Sequence, residues 1–262
     1  MIGIFDSGLG GLSVLAAVAK ALPDADLCYL ADTAHVPYGE KSDAFIRERV
    51  LKIGHHLRAR GCSMLVVACN TATAAAVSAL RAALPAIPVI GVEPGVKPAA
   101  ASSHKRHITV LATVSTARSE RLRDLVRRHA ADVQVDIVPC PDWATRVEKG
   151  RLDDPAFVDS VRALLAPTLD AGSDRLVLGC THYTFLTPVL KPIVAGRAEL
   201  IDVAEAVARQ CVRLADRAGE GSRQLVLSAT ALPERLQDAL PRLGLGHLQG
   251  RQRMPAQLAT IA

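Results

Sequence analysis

Two cysteines in this chain end apolar runs and are followed by small polar residues. Leu65-Val66-Val67-Ala68-Cys69-Asn70-Thr71-Ala72-Thr73 and Leu176-Val177-Leu178-Gly179-Cys180-Thr181-His182-Tyr183-Thr184 align without gaps, offset by 111 positions. A thiol at the point where a buried strand gives way to a helix sits at the carboxyl end of the strand, where open α/β sheets place their ligands. Backbone N–H groups and the positive end of the helix dipole there favour thiolate over thiol. A free cysteine taken alone usually packs as a small apolar group; it is the matched pair that points to chemistry. Inverting a carbon centre by proton transfer needs a base on one face and an acid on the other, and one thiol in each of two halves supplies both.

An unperturbed thiol, with a pKa of about 8.5, is little ionised at neutral pH and needs a neighbour. Asp6, ending the first apolar run, can serve Cys69, and His182, two positions after Cys180, can serve that thiol. Each also has a plainer reading, as a turn or N-cap aspartate and as a half-buried histidine. Asp6-Ser7-Gly8-Leu9-Gly10-Gly11 has the look of a dinucleotide loop, with Asp32 at the distance that fingerprint expects. Ser13 occupies the third glycine position, however, and Asp6 would aim negative charge at a pyrophosphate. A tight glycine turn whose N–H groups hold a small carboxylate fits better. Asp32-Thr33-Ala34-His35-Val36-Pro37-Tyr38-Gly39 is a Pro- and Gly-punctuated loop directly after a strand, the place for a binding loop.

The elements that must position these residues follow from hydrophobic patterning. Strands are expected near 2–5, 27–31, 65–68, 88–92, 108–112, 133–138, 175–179, 199–203 and 224–228, with helices over 12–22, 43–60, 71–84, 116–131 and 155–169. This alternation predicts an α/β fold of mainly parallel sheets covered on both faces. Ile2 to Gly8 and Ile108 to Thr116 pair in the same manner as the cysteine segments, so the chain reads as two pseudo-symmetric α/β domains with the active site in the cleft between them. The first is expected over 1–95 plus about 206–262, the second over 96–205, with a linker at Pro94 to His104. Residues 251–262 read as a weakly ordered tail.

Composition narrows the classes of function. The chain has 262 residues, enough for one large domain or two modest ones. Its formal net charge of +5 suits anionic partners in general, while an aromatic share of 3% leaves little material for stacking on nucleic acid bases. Arg118, Arg121, Arg123, Arg127 and Arg128 share a stretch with Glu120 and Asp124, which reads as a solvated helix face. The six cysteines include no C-x-x-C pair and the histidines no H-x-x-x-H pair, so no metal site is expected. No signal peptide or membrane span is read, which suggests a cytoplasmic protein.

Four motifs together resemble the glutamate racemases of the aspartate/glutamate racemase family: Phe5-Asp6-Ser7-Gly8-Leu9-Gly10-Gly11-Leu12, Ala31 to Gly39, Val67-Ala68-Cys69-Asn70-Thr71-Ala72-Thr73, and Leu178-Gly179-Cys180-Thr181-His182-Tyr183. They occur in family order, and the similarity runs from residue 2 to about 210. The resemblance implies a cofactor-independent racemase that interconverts L- and D-glutamate for peptidoglycan synthesis. It makes Cys69 and Cys180 the two proton donor/acceptors, with Asp6 and His182 supporting them. It places Asp6, Ser7, Tyr38, Gly39, Asn70, Thr71, Thr181 and His182 against the substrate and gives Asp32 and Glu148 assisting roles. It also implies a homodimer. Ala112 to Ser119 matches a family loop usually written with glycines, where alanine and serine stand in this chain. The other readings the residues leave open are an aspartate- or hydantoin-type racemase and a binding or regulatory protein that reuses the pocket.

Overall fold

In a computed structural model, residues 1–215 and 220–261 are described. The chain divides into two compact units, Met1–Val92 with the residues from Ala204 onward, and Glu93–Val203. The first is therefore discontinuous.

In the first unit, strands β1 (Ile2–Asp6), β2 (Leu27–Ala31), β3 (Met64–Val67), β4 (Val89–Gly91), β9 (Leu225–Ala229) and β10 (Gln257–Leu258) form one sheet in the order β10-β9-β2-β1-β3-β4. All its pairings are parallel. Parallel strands need crossover helices, and helices cover the faces. That is why β2, β3 and β1 as far as Phe5 carry no charged residue: Ile4, Tyr29 and Val66 share one register row, Phe5, Leu30 and Val67 the next, and all six are fully buried. The Phe5 row packs on Ile46, Val50 and Ile53 of α2 (Asp43–Ala59) and on Ala72, Ala76 and Leu80 of α3 (Asn70–Ala83). Helix α1 (Leu12–Ala21) lies along α10 (Ala204–Leu214).

In the second unit, β5 (His107–Ala112), β6 (Gln134–Pro139), β7 (Arg175–Leu178) and β8 (Glu199–Ile201) form a parallel sheet ordered β6-β5-β7-β8. One of its buried clusters joins Leu176 and Leu178 to Trp143 and Val147 of α7 (Trp143–Lys149) and to Val161 and Leu165 of α8 (Pro155–Asp170).

Three expectations need correction. The stretch expected as one helix over 116–131 is two, α5 (Val114–Arg118) and α6 (Glu120–His129), because Ser119 leaves helical geometry and caps the second, its Oγ accepting the Leu122 N–H at 3.2 Å. The expected linker contains a helix, α4 (Val96–Ser102). Residues 251–261 are not a loose tail: β10 adds to the sheet edge beside β9, and the Arg251 guanidinium donates to the carbonyls of Arg223, Ala19 and Ala25; Ala262 lies outside the described residues. Arg123, Arg127 and Arg128 of α6 do face solvent, the first two pairing with Glu120, whereas Arg121 is half-buried and paired with Glu93. Among the described residues, no helix is long and apolar enough to cross a membrane.

Candidate active site

Cys69 follows β3 directly and is the N-cap residue of α3, its Sγ accepting the Ala72 N–H at 3.4 Å. An N-cap sulfur receives an orphan helix donor and lies at the positive end of the dipole, both of which favour negative charge on it. Ser7 Oγ stands 3.9 Å from the same sulfur, which is only 6% exposed as a residue. Asn70 and Thr71, the first two residues of α3, are also buried.

The turn after β1 closes on Asp6. Gly11 N–H donates to Asp6 Oδ2 at 2.9 Å, Gly8 N–H reaches the same oxygen at 3.3 Å, and the Tyr29 hydroxyl holds Gly8 O at 2.6 Å. A Cβ on Gly11 would stand 2.7 Å from Asp6 Cβ, so glycine is required here for close approach rather than for its dihedral freedom. The N–H groups that a dinucleotide loop would turn on a phosphate are thus turned on an aspartate. Asp6 Oδ1 and Asn70 Oδ1 are both buried with no hydrogen-bond partner among the described residues. Two orphaned acceptors in one small region are costly unless a ligand brings donors.

In the second unit, Gly179 and Cys180 follow β7. Gly179 N–H donates to Leu111 O at 2.7 Å, and a Cβ on Gly179 would come within 2.5 Å of that backbone oxygen. Cys180, also 6% exposed, precedes a 3-10 helix, Thr181–Leu186, rather than an α-helix, and its sulfur makes no capping hydrogen bond to it. Pro188 explains why an α-helix starts only later: it lacks an N–H and sits in the first turn of α9 (Thr187–Val194), where that donor is not needed. A short 3-10 turn offers a weaker dipole than α3 does, and a titratable side chain stands in for it. His182 Nδ1 lies 3.7 Å from Cys180 Sγ, and His182 Nε2 lies 2.6 Å from Glu148 Oε1 on α7. A carboxylate can only accept, so it fixes the proton on Nε2 and turns the Nδ1 lone pair to the thiol. Thr181 is buried beside them.

Asp32, fully buried at 0% exposure, directly follows β2 at the head of the loop that carries Tyr38 and Gly39. Burial opposes its charge, but hydrogen bonds from Arg49, Tyr38, His35 and Thr230 outweigh that and hold the carboxyl below its ordinary value. The Tyr38 hydroxyl donates to Asp32 Oδ2 at 2.6 Å; burial first, then the Asp32 charge, pushes its own ionisation far upward. Tyr38 and Cys69 belong to one buried cluster. Sequence reasoning missed Arg49 and Thr230, since neither lies in a motif and both reach Asp32 through tertiary contacts.

A folded-state carboxyl held below its unfolded value stabilises the fold fully above the ordinary carboxylate range and loses that contribution as pH falls through the folded value. The urea midpoint is expected to drop as pH falls below about 5, and Asp32→Asn to flatten part of that drop while lowering the midpoint at neutral pH. Unchanged slope in the variant would show that folding does not lower the titration of Asp32.

A concavity of about 800 Å³ in the first unit, lined in part by Ala16, Lys20, Arg209 and Arg251, shares no residue with these sites.

Comparison with known proteins supplies the family. Residues 7–211 match the Asp/Glu/hydantoin racemase family. A glutamate racemase from Pseudomonas aeruginosa is 47% identical over 246 residues, 92% of this chain and 93% of that protein. One from Ralstonia pickettii is 50% identical over 218 residues, 83% of this chain and 77% of that protein. Among solved structures, the glutamate racemase of Escherichia coli, in complex with L-glutamate and the activator UDP-MurNAc-Ala, superposes with a TM-score of 0.86 at 31% identity, covering 100% of this chain and 98% of that one. With thiols at matched strand ends and a similarity that spans nearly its whole length, the chain belongs to the Asp/Glu/hydantoin racemase family and is an isomerase of the racemase class.

Proposed function

We propose that the protein interconverts L- and D-glutamate without a cofactor, using Cys69 and Cys180 as a pair of acid/base groups. In one direction one thiolate takes the α-proton: the C–H bond breaks, an S–H bond forms, and the electron pair stays on carbon. The other thiol then gives its proton to the opposite face, which inverts the centre and leaves its sulfur as the thiolate. The roles reverse for the other enantiomer. Glu148 orients His182, whose Nδ1 faces Cys180 Sγ and can carry its proton, while Cys69 sits at the α3 N-terminus with Ser7 beside it.

The observation that carries the amino acid reading is the pair of buried acceptors, Asp6 Oδ1 and Asn70 Oδ1, that lack donors in the first unit. The ammonium group of an α-amino acid brings such donors. Ser7, Thr71, Thr181 and the backbone at Tyr38 and Gly39 supply groups for its carboxylates. Placed donors of this kind stabilise the carbanionic transition state, which a weak carbon acid requires. Glutamate is favoured over aspartate or hydantoin by the relatives, which are glutamate racemases on both sequence and structural comparison. On the same reading the protein works in the cytoplasm as a homodimer and supplies D-glutamate for peptidoglycan synthesis.

The test is to incubate the purified chain with D-glutamate in heavy water and follow optical rotation and the α-hydrogen signal together. Enantiomers have equal free energy in water, so rotation is expected to decay to zero from either side while deuterium enters the α-position. Decay with D-aspartate and none with D-glutamate would overturn the substrate, and no turnover of either would overturn the activity.

A further inference from the structure

The loop between β2 and α2 carries Tyr38 and Gly39, and its anchor is a single buried charge. Asp32 Oδ2 accepts from Tyr38 Oη at 2.6 Å and Arg49 Nε at 3.1 Å, while Oδ1 accepts from an Arg49 terminal nitrogen at 2.8 Å and Thr230 Oγ1 at 2.8 Å. His35 Nδ1 lies 3.1 Å from Oδ1. A carboxylate has about four lone-pair positions, and these donors fill them. Arg49 engages both oxygens through two of its nitrogens, an arrangement a lysine cannot reproduce.

The other half of the anchor comes from the far end of the chain. Thr230 follows β9, and its N–H donates to Ala31 O at 3.0 Å. Its hydroxyl gives its proton to Asp32 and accepts the Ala34 N–H at 3.0 Å. One residue on, Ala231 N–H donates to Thr33 Oγ1 at 2.9 Å, and Thr33 in turn donates to Ala231 O. The returning segment therefore clasps the first residues of the loop, and Arg49 on α2 clasps the aspartate beneath it.

We propose that Arg49 and Thr230 are positioning residues for substrate binding: through Asp32 they fix the backbone of Tyr38 and Gly39 in the place where it meets the substrate. The inference rests on the glutamate racemase reading given above and deepens it. Because the Tyr38 hydroxyl is committed to Asp32, what this loop offers a substrate is main-chain groups, whose positions are only as fixed as the network that holds them. Neither Arg49 nor Thr230 acts on the reacting hydrogen. Loosening the network weakens ground-state and transition-state contacts alike, which raises KM and spares kcat.

The experiment compares steady-state kinetics and melting temperature of the full chain with those of Thr230→Val, Thr230→Ser and Arg49→Lys. Valine keeps the shape of threonine and removes its hydroxyl; serine keeps the hydroxyl; lysine keeps the charge and loses the fork. Thr230→Val and Arg49→Lys are expected to raise KM for glutamate by about tenfold with kcat within about threefold of wild type, and Thr230→Ser to stay close to wild type. If Arg49→Lys fails to fold, the two Thr230 variants decide the matter alone. Wild-type KM in Thr230→Val, a fall confined to kcat, or equal damage in Thr230→Ser would each overturn the proposal while leaving the racemase reading intact. A wild-type chain that racemises no glutamate would overturn both.

Discussion

Replacing Cys69 or Cys180 singly by serine is expected to lower racemisation by about 10³-fold or more, in the upper range of losses for a positioned acid or base, while each variant still exchanges the α-hydrogen of one enantiomer in heavy water. Serine is the informative substitution because it preserves the cap: at position 69 its hydroxyl can accept the Ala72 N–H that Cys69 Sγ accepts at 3.4 Å. What it removes is a group able to ionise near neutral pH. With one sulfur gone, the remaining thiolate can still take a proton from the face it addresses, exchange it with solvent and return a deuteron to that same face. Inversion is blocked and exchange with retention survives. The two variants must therefore prefer opposite enantiomers. Near-wild-type racemisation by either variant, or exchange of the same enantiomer by both, would rule out two thiols acting on opposite faces.

Much of what positions these thiols is readable from the chain because parallel strands buried on both faces appear as unbroken apolar runs. Leu65 to Cys69 and Leu176 to Cys180 therefore announce themselves, as does the point where each run stops. The difference between the two caps is less visible. Both segments continue with small polar residues, yet one opens the 14-residue helix α3 and the other a six-residue 3-10 helix; the deciding residue, Pro188, stands well downstream of the motif. Ser119 is a helix-start signal set between two compatible helical stretches, and periodicity alone reads through it. The edge strand Gln257–Leu258 has too few residues to show a period, and its hold on the fold runs through Arg251, an arginine whose sequence neighbourhood says nothing of the carbonyls it meets. Thr230 and Asp32 are 198 positions apart. Contacts of that kind come from topology, and no local pattern encodes them.

The same limit applies to Glu148, for which the family resemblance supplies an assisting role but no geometry. Its Oε1 lies 2.6 Å from His182 Nε2, which leaves His182 Nδ1 facing Cys180 Sγ at 3.7 Å. Glu148→Gln is expected to lower kcat by about 10²-fold or more, by the logic that gives aspartate its role behind a catalytic histidine. Two effects combine. The amide carries no charge to stabilise the imidazolium that forms when Nδ1 takes the thiol proton. Its NH₂ end can also donate to Nε2, which selects the tautomer with hydrogen on Nδ1 and deprives the thiol of an acceptor. Because the defect lies on one side of the chemistry only, the background in which it is measured separates it from general damage. In a Cys69→Ser background, where exchange depends on Cys180, adding Glu148→Gln is expected to suppress α-hydrogen exchange further. In a Cys180→Ser background, where Cys69 does the work, the same change is expected to leave exchange near its starting rate. Equal suppression in both backgrounds would mean that Glu148 supports the fold or the substrate rather than the Cys180 thiol, and His182 would then need another role.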